Sequence, residues 1–238
     1  MTVVRPTLSL RGSARLLVVA LGLAWTLGVA GPADAGEPTG PGFAIARLRY
    51  SGGGDWYSNP TSLPNLAKAV AERTSVTLES TEEAQVAILD PEFFTYPYIY
   101  MNGHGNVRFS DSEVERLRKY LLAGGFLFAD DNYGMDESFR RELARVFPDR
   151  KLVSLPWGHP IYHCFYDLPK GPPKVHEHDG KPSQGLGIFD GDRLVVFYTY
   201  QSDIGDGLED WEAHKDPPEI REQALRMAVN TVVYALSR

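Results

Sequence analysis

The stretch Gly124-Gly125-Phe126-Leu127-Phe128-Ala129-Asp130-Asp131 decides the fold that we expect for this chain of 238 residues. Its apolar residues follow one another without alternation, and two carboxylates come directly after them. Such a run is typical of a strand buried on both faces, as in a parallel sheet that helices cover on each side. The glycine pair before the run can end a helix in the left-handed conformation. The stretch therefore predicts a helix end followed by a central, buried strand.

Strand and helix patterns alternate on both sides of this stretch. Strand patterns occur at residues 43–50, 76–78, 86–89, 98–102 and 162–166. Helix patterns begin near Leu63 and after a cap at Ser110 or Asp111, and cover 137–147 and 218–236. This alternation predicts an α/β protein, a three-layer α/β/α sandwich with a mostly parallel sheet. A hairpin about Asp190-Gly191 is expected as a C-terminal addition to that sheet.

The N terminus has the composition of a secretory signal peptide. Three arginines precede an apolar run at 16–30, and Ala33-Asp34-Ala35 offers a small-x-small cleavage site. The run is short for a membrane span, which needs about 20 residues. We therefore expect a signal peptide over 1–35, cleavage near Ala35, and a single domain over 36–238 that is exported to the periplasm or secreted. In the alternative, an uncleaved leader remains as the chain's contact with the membrane.

Composition excludes several classes of protein. The chain has 31 acidic and 24 basic residues, and its net charge of −7 disfavours nucleic acid as a partner because no basic run offsets it. A hydrophobic content of 43% is that of a globular protein with one principal core, or at most two small ones, not of a disordered chain. The single cysteine, Cys164, excludes a disulfide scaffold. Cys164 itself is either a buried small side chain or a reactive thiol.

The predicted ligand-binding cleft lies beyond the carboxyl ends of the strands, where open α/β sheets bind their ligands. Four segments are expected to meet there, at 51–57, 103–106, 130–133 and 156–163. Their polar, glycine and aromatic residues form the candidate site: Gly53, Asp55, Trp56, His104, Asp130, Asp131, His159 and His163.

His104 is the most informative of these residues because it lies between two glycines directly after a predicted strand. This turn resembles a nucleophile elbow, but the position that would carry serine or cysteine carries histidine. An imidazole can act as an acid, a base or a metal ligand, whereas covalent acyl transfer of the usual kind is not expected. A purely structural histidine is the alternative.

Two neighbouring features also have both a functional and a structural interpretation. The triplet Gly52-Gly53-Gly54 can bind an anion through backbone amides, or it can form only a tight turn. Asp130 and Asp131 point to opposite sides of their strand, so one of them at most is expected to face a ligand. Alternatively, one caps the next helix and the other pairs with an arginine.

All six histidines follow residue 100, and some have spacings that suit a metal ion. His159 and His163 are the candidate ligands, although Pro160 prevents them from sharing one helix face, so the chain must fold back to bring them together. His176 and His178 are interpreted as part of a solvated loop. No His-Glu-x-x-His motif is present. The sequence leaves the cofactor unknown, with a divalent metal as one option.

A series of motifs in fixed order covers almost all of the chain after the leader. The motifs are Arg47-Leu48-x-Tyr50-x-Gly52-Gly53-Gly54-Asp55-Trp56-Tyr57, Tyr96-Pro97-x-Ile99-Tyr100-x-x-Gly103-His104-Gly105, Tyr120-Leu121-x-x-Gly124-Gly125-Phe126-Leu127-x-x-Asp130-Asp131, His159-Pro160-Ile161-Tyr162-His163-x-Phe165-Tyr166, Gly187-Ile188 and Gly191-x-Arg193-Leu194. Together they resemble the bacterial family known as domain of unknown function 4159.

The resemblance implies a fold but no activity. The family is similar to class I glutamine amidotransferases, which are flavodoxin-like sandwiches with their nucleophile on the turn after a central strand. Carrying over amidotransfer would require cysteine at the elbow, where this chain has His104. Cys164 belongs to a different segment and cannot take that place. The resemblance therefore implies a relative of the amidotransferase fold that does not carry out amidotransfer.

Three functional hypotheses follow. In the first, the exported domain binds a small or polymeric ligand, or an envelope protein, in the predicted cleft. In the second, it is an envelope hydrolase whose catalytic candidates are His104, Asp131 and His159, with the carboxylate of Asp130 or Asp131 orienting a histidine or activating water. In the third, it is a structural module of an envelope assembly. No serine or cysteine nucleophile stands at the turn, so the sequence leaves open whether the protein is an enzyme.

Overall fold

A computed structural model describes residues 42–237 of the chain. Its strands are β1 (Ala46–Arg49), β2 (Ala84–Ala87), β3 (Tyr98–Gly103), β4 (Phe126–Asp131), β5 (Val153–Ser154), β6 (Gln184–Asp190) and β7 (Arg193–Tyr200). Its α-helices are α1 (Ser62–Arg73), α2 (Asp111–Leu122), α3 (Asp136–Val146), α4 (Ile204–Leu208), α5 (Trp211–His214) and α6 (Pro218–Leu236). Short 3₁₀ helices form at Pro91–Thr95 and Pro160–Tyr162.

The strands form one sheet in the order β2-β1-β3-β4-β7-β6-β5. Neighbouring strands are parallel in the part of the sheet that contains β2, β1, β3, β4 and β7, and β6 is antiparallel to both of its neighbours, β7 and β5. The first part of this order, 2-1-3-4, is that of flavodoxin-like sheets, whose ligands bind where the strand order reverses. Because β1, β3, β4 and β7 run in the same direction, their carboxyl ends share one border of the sheet. We call this border the carboxyl edge.

Helices cover both faces of the sheet, which confirms the predicted three-layer α/β/α sandwich. On one face, apolar residues of α2 and α3 pack on the sheet in a core that includes Leu48, Met101 and Leu127. On the other face, α1, α4 and α6 pack over a second set of buried residues that includes Tyr100 and Phe128. The central strand β4 contributes to both cores, as its unbroken apolar sequence predicts.

Local signals in the sequence explain where several elements begin and end. Ser110 caps α2 in a capping box with Glu113, in which each side chain bonds to the other residue's backbone N–H. Gly124 then ends the helix with φ at +115°, a conformation that glycine adopts at little cost. The predicted helix 218–236 is confirmed, with the same bounds as α6.

Two of the predicted strands do not form, and the predicted hairpin forms with a different place in the sheet. The aromatic run 162–166 is not a strand: Pro160 begins a short 3₁₀ helix there, and the backbone N–H of Tyr166 then bonds to the Asn230 side chain on α6. Residues 76–78 contribute only an isolated bridge between Leu78 and Phe43. The hairpin about Asp190-Gly191 does form, as β6 and β7, but β7 pairs with β4 and so belongs to the middle of the sheet.

The predicted signal peptide lies outside the described residues, as does its cleavage site near Ala35, and both stay predictions. Among the helices formed by residues 42–237, we find none with the length and apolar character that crossing a bilayer requires.

Candidate functional site

The loops that follow β1 and β3 meet at the carboxyl edge and join Asp55 to His104. The carboxylate of Asp55 accepts a hydrogen bond from the backbone N–H of His104, and its other oxygen lies 3.0 Å from His104 Nδ1. The backbone N–H of Asp55 in turn donates to the His104 carbonyl at 3.2 Å. The imidazole is therefore fixed in orientation by one carboxylate while half of its surface remains exposed to solvent. A histidine oriented in this way can transfer protons.

The turn at His104 differs from a nucleophile elbow. An elbow passes directly from strand to helix, whereas residues 104–110 separate the end of β3 from the start of α2. Gly103 has φ at +136°, and the hydroxyl of Tyr50 packs against its Cα as it donates to the Asn102 carbonyl at 3.1 Å. A side chain at position 103 would collide with that hydroxyl, so this position requires glycine. The turn thus presents an imidazole for acid–base work without the geometry that activates a serine or cysteine.

Asp130 and Asp131 end β4 and are both buried. Asp131 Oδ1 accepts the backbone N–H of Met135, the residue directly before α3, at 3.1 Å and so fixes the turn that leads into this helix, a structural role of the kind considered for one of the pair. Asp130 accepts the Thr199 hydroxyl at 2.5 Å and the Gly205 N–H at 2.7 Å, in place of the arginine that we considered for it. Burial raises the pKa of Asp130 to about 8, and it also raises the pKa of Asp131. Both carboxylates therefore position helices that begin at the carboxyl edge.

A second group of ionisable residues lies at the same edge, after β7 and in the loop that precedes β6. We call it the carboxyl-edge cluster: His176, His178, Asp203, Asp206, His214 and Asp216. The three aspartates are buried, and the imidazoles are about a quarter to a third exposed. His176 lies between two carboxylates, with Nδ1 2.9 Å from Asp206 Oδ2 and Nε2 3.0 Å from Asp216 Oδ1. His178 Nε2 lies 2.5 Å from Asp203 Oδ2.

The charges in this cluster change the protonation of its members. Burial, followed by the neighbouring charge of Asp206, raises the pKa of Asp203 to about 7, while His176 and His104 act in the opposite direction. The hydrogen bond to Asp206 raises the pKa of His176 to about 9. Burial acts to raise the pKa of Asp206, but hydrogen bonds from His176 and Asn59 outweigh it and the pKa is lowered. The His104 loop and the cluster both adjoin the loop after β4, since Gly105 lies beside Gly134 and the Tyr133 ring stacks on His178.

Buried amides and a buried arginine hold Asp206 in place. Asp206 Oδ1 accepts hydrogen bonds from the side-chain amides of Asn132, at 2.8 Å, and Asn59. Asn59 is held in turn by Arg47, whose guanidinium donates to the Asn59 carbonyl at 3.0 Å. Arg47 is 1% exposed and also pairs with Glu83 at 2.8 Å. Loops that follow three different strands are therefore tied to a single carboxylate.

Unfavourable backbone conformations concentrate around this site. Within residues 42–237, the non-glycine residues with positive φ are Asn59, Tyr133, Gln201, Asp203 and Lys215. Asp203 belongs to the cluster, Lys215 lies between two of its members, and the Tyr133 ring stacks on His178 with centroids 4.2 Å apart. Each such residue costs about 1–3 kcal/mol, and costs of this kind collect at functional sites. The backbone therefore marks the carboxyl edge independently of its charges.

The structure brings together most, but not all, of the predicted site residues. Gly53, Asp55 and Trp56 lie in the loop after β1, and the Trp56 ring packs against the core and the Tyr57 ring. His159 packs near Phe189, which pairs with Leu194 at the start of β7. At about 3.3 Å per residue, Leu194 lies about 20 Å from the carboxyl end of β7. His159 therefore lies toward the opposite end of the sheet.

His163 has a separate environment. Its Nδ1 lies 2.5 Å from Asp167 and its Nε2 2.7 Å from the Trp157 carbonyl, so both ring nitrogens are already engaged. The neighbouring Cys164 is half-buried on the face that α6 covers, with Sγ 3.3 Å from the Asn230 carbonyl. The sequence placed His159 and His163 together as metal ligands, whereas in the structure their rings take different partners.

Sequence reasoning missed the carboxyl-edge cluster. His176 and His178 do lie in a loop, most of which is exposed, but His176 is half-buried and both imidazoles pair with carboxylates, which the interpretation as a solvated stretch did not predict. A usable signal was present: the apolar run 194–198 leads to Asp203 and Asp206, much as the apolar start of β4 leads to Asp130.

Two sets of three residues in this cluster have the composition and spacing to hold a metal ion. One set consists of His176, Asp206 and His214, and the other of His176, His178 and Asp203. In each set the potential ligand atoms lie within 4.8 Å of one another. Two imidazoles and a carboxylate are typical ligands of divalent transition metals.

Comparison with known proteins identifies the family but no characterised relative. No curated protein matches the chain. Residues 44–236, which include every strand and helix described above, match the sequence model of the family described as "Domain of unknown function (DUF4159)", and the chain belongs to this family.

Proposed function

We propose that this domain is a hydrolase that activates water at the carboxyl edge, with His104 as its acid–base group and Asp55 as the residue that orients it. The observation that carries the proposal is the doubly bonded His104–Asp55 pair, whose exposed imidazole lies at the same edge of the sheet as the carboxyl-edge cluster. The turn lacks a serine or cysteine, so water is the nucleophile rather than a side chain. Exported as the leader predicts, such an enzyme would act on envelope material.

The chain contains a matched control for this pair. His163 and Asp167 form another exposed His–Asp pair, with Nδ1 and Oδ1 2.5 Å apart, away from the carboxyl edge. His104→Ala and His163→Ala thus remove the same group from two sites. The test compares the wild type and both variants in the hydrolysis of three probes: p-nitrophenyl acetate, bis(p-nitrophenyl) phosphate and isolated bacterial cell wall.

We expect His104→Ala to lower kcat by about 100-fold or more, the usual contribution of a positioned acid or base, and His163→Ala to leave it unchanged. Asp55→Asn is expected to lower kcat less and to shift the pH profile, because it keeps the hydrogen-bonding shape and removes the charge. Equal activity of the His104 and His163 variants would show that the reaction does not use this pair.

Exposed aromatic rings favour a second candidate, a binding cleft without catalysis. Tyr57 is 64% exposed, Trp211 49% and Tyr133 38%, and each lies in a segment that borders the carboxyl edge. Exposed rings of this kind form platforms for sugars or peptides. Binding of cell-wall fragments that quenches tryptophan fluorescence, survives His104→Ala and is followed by no hydrolysis would support this candidate over the enzyme.

A further inference from the structure

We propose that the carboxyl-edge cluster holds one divalent transition-metal ion, with His176, Asp206 and His214 as its protein ligands. The proposal goes beyond the hydrolase function, because binding of an ion can be measured without any substrate. It stands on the spacing of the three ligand atoms, the groups behind them, and buried carboxylate oxygens that lack a hydrogen bond.

The ligand atoms are spaced for a common ion. A metal with bonds of about 2.0–2.1 Å in tetrahedral geometry has ligand atoms about 3.3 Å apart. Asp206 Oδ2 lies 2.9 Å from His176 Nδ1 and 3.8 Å from His214 Nδ1. These two distances lie on either side of about 3.3 Å, and all three ligand atoms lie within 4.8 Å of one another, so small movements of the imidazoles bring them to bonding distance of one ion.

His176 and Asp206 are held through their other polar atoms, as metal ligands in proteins usually are, and His214 has a carboxylate on its far side. His176 Nε2 lies 3.0 Å from Asp216 Oδ1, and His214 Nε2 lies 3.9 Å from Glu209 Oε2. The second oxygen of Asp206 accepts hydrogen bonds from the amides of Asn59 and Asn132. A carboxylate behind an imidazole fixes the ring and makes its other nitrogen a better ligand.

Two buried carboxylate oxygens beside these ligands indicate that a positive charge belongs there. Asp203 is 1% exposed and Asp216 is 8% exposed, yet Asp203 Oδ1 and Asp216 Oδ2 have no hydrogen-bond partner among residues 42–237. A buried oxygen of this kind usually has a donor or an ion as its partner. Asp203 Oδ2 lies 3.8 Å from His176 Nδ1, so its carboxylate adjoins the proposed ion.

The ligand types select the class of metal. Magnesium and calcium prefer sites made of oxygen atoms, whereas two imidazoles with one carboxylate suit zinc and its first-row neighbours. Three protein ligands leave a coordination position open, as in catalytic zinc sites, where the bound water is the nucleophile. An ion here would therefore supply the water activation that the proposed hydrolase needs.

The second set, His176, His178 and Asp203, competes for the same imidazole. Its members are also close together, but the ring of His178 stacks on Tyr133, and the one carboxylate that His178 contacts is Asp203. In the proposed site His178 instead orients Asp203 beside the ion. The two sets predict different effects of removing His178 and His214.

Zinc titration of the full chain, purified without a histidine tag and stripped with a chelator, tests the proposal. Isothermal titration calorimetry and elemental analysis are expected to show one Zn²⁺ per chain. His214→Ala, a change at a partly exposed side chain, should weaken binding by about 100-fold or more, and Asp216→Asn by about 10–100-fold. His178→Ala should weaken it less than His214→Ala. His163→Ala, the control outside the site, should leave it unchanged, and circular dichroism establishes that each variant is folded.

Two results would overturn the proposal. If neither Zn²⁺, Mn²⁺ nor Co²⁺ binds the stripped wild type, the cluster is a network of ion pairs. If His178→Ala abolishes binding while His214→Ala retains it, the ion belongs to the other set. Zinc binding with the expected variant effects, combined with no hydrolysis of any probe, would contradict the hydrolase function and leave the metal site intact.

Discussion

At the carboxyl ends of β4 and β7 the chain places buried carboxylates and imidazoles, whereas at their amino ends it places aromatic rings and an arginine. The amino end of β4 begins with Phe126, whose ring lies near Tyr98 and Tyr234. At the start of β7, Arg193 donates to the Leu121 carbonyl at 2.6 Å and so satisfies the end of α2. The same two strands thus end in apolar packing on one side and in buried charge on the other.

The amino ends of β4 and β7 are stabilised by their own packing and hydrogen bonds, whereas the carboxyl ends need a compensating partner. Aromatic packing and satisfied helix carbonyls lower the free energy of the folded state. Buried carboxylates such as Asp203 raise it unless a partner or an ion compensates their lost hydration. Function requires precise geometry even where that geometry lowers the stability of the fold. The difference between the carboxyl and amino ends can therefore be tested by measuring stability as well as activity.

The largest effect is expected from Arg47→Met. Arg47 is fully buried at the carboxyl edge and donates to Glu83, Asn102 and the carbonyls of Ser58 and Asn59. Its removal breaks the ion pair with Glu83 and leaves the buried Asn102 Oδ1 without a donor among residues 42–237, and we expect the free energy of unfolding to fall by about 3–5 kcal/mol. Urea unfolding followed by circular dichroism measures the loss.

Arg193→Met is the matched change at the amino end. Arg193 also donates to backbone carbonyls, but its side chain is 26% exposed, so water can replace it. We expect a loss of about 1–2 kcal/mol, the value of hydrogen bonds from a charged group. Equal losses for the two arginines would mean that the carboxyl edge is no more dependent on buried partners than the amino end.

The second prediction concerns pH and Asp130→Asn. The folded pKa of Asp130 is raised to about 8, above its ordinary value of 3.8, because the group is buried. The folded state therefore keeps a proton that the unfolded chain releases, and this group makes the protein less stable as pH rises from about 4 to about 8. The slope is at most about 1.4 kcal/mol per pH unit.

Asparagine at position 130 is expected to remove that slope while keeping the hydrogen bonds. Its carbonyl oxygen can accept the Gly205 N–H, and its amide can donate to Thr199, whose hydroxyl faces the Ala129 carbonyl. Urea unfolding at several pH values compares the variant with the wild type. Asp192→Asn, on an exposed carboxylate in the hairpin turn, serves as the control for the change from carboxyl to amide. An unchanged slope in Asp130→Asn would show that the buried carboxyl is ionised throughout.

Much of the sandwich could be predicted because its signals are local. The apolar run of β4, the capping box at Ser110 and the bounds of α6 each depend on neighbouring residues in the sequence. The aromatic run 162–166 misled for the opposite reason, since Asn230, far along the chain, sets its conformation by bonding to Ile161 and Tyr166. Strand propensity does not determine the conformation where a distant side chain satisfies the hydrogen bonds of the backbone.

About half of the candidate site could be predicted from the sequence. Asp55, His104 and Asp130 follow strands whose place in the sheet the sequence made clear. Asp203 and Asp206 follow β7, and their position depends on the register that sets Thr199 opposite Asp130, a pairing between distant segments. The sequence showed β7 as one arm of a hairpin and contained no local signal that it lies beside β4. The part of the site that follows β7 was therefore not predicted, because the sequence does not indicate that β7 pairs with β4.

The smallest effect is expected at Tyr133, where the chain holds a bulky residue at φ +74° to stack on His178. Asparagine tolerates this conformation better, so Tyr133→Asn should raise the free energy of unfolding by about 1 kcal/mol. Gly191, in the hairpin at the other end of the sheet, has φ +60°, and Gly191→Ala should lower stability by about the same amount. Urea unfolding of both variants measures the two changes. A loss of stability in Tyr133→Asn would mean that the ring contact outweighs the backbone cost, and that the carboxyl edge is less strained than its dihedral angles indicate.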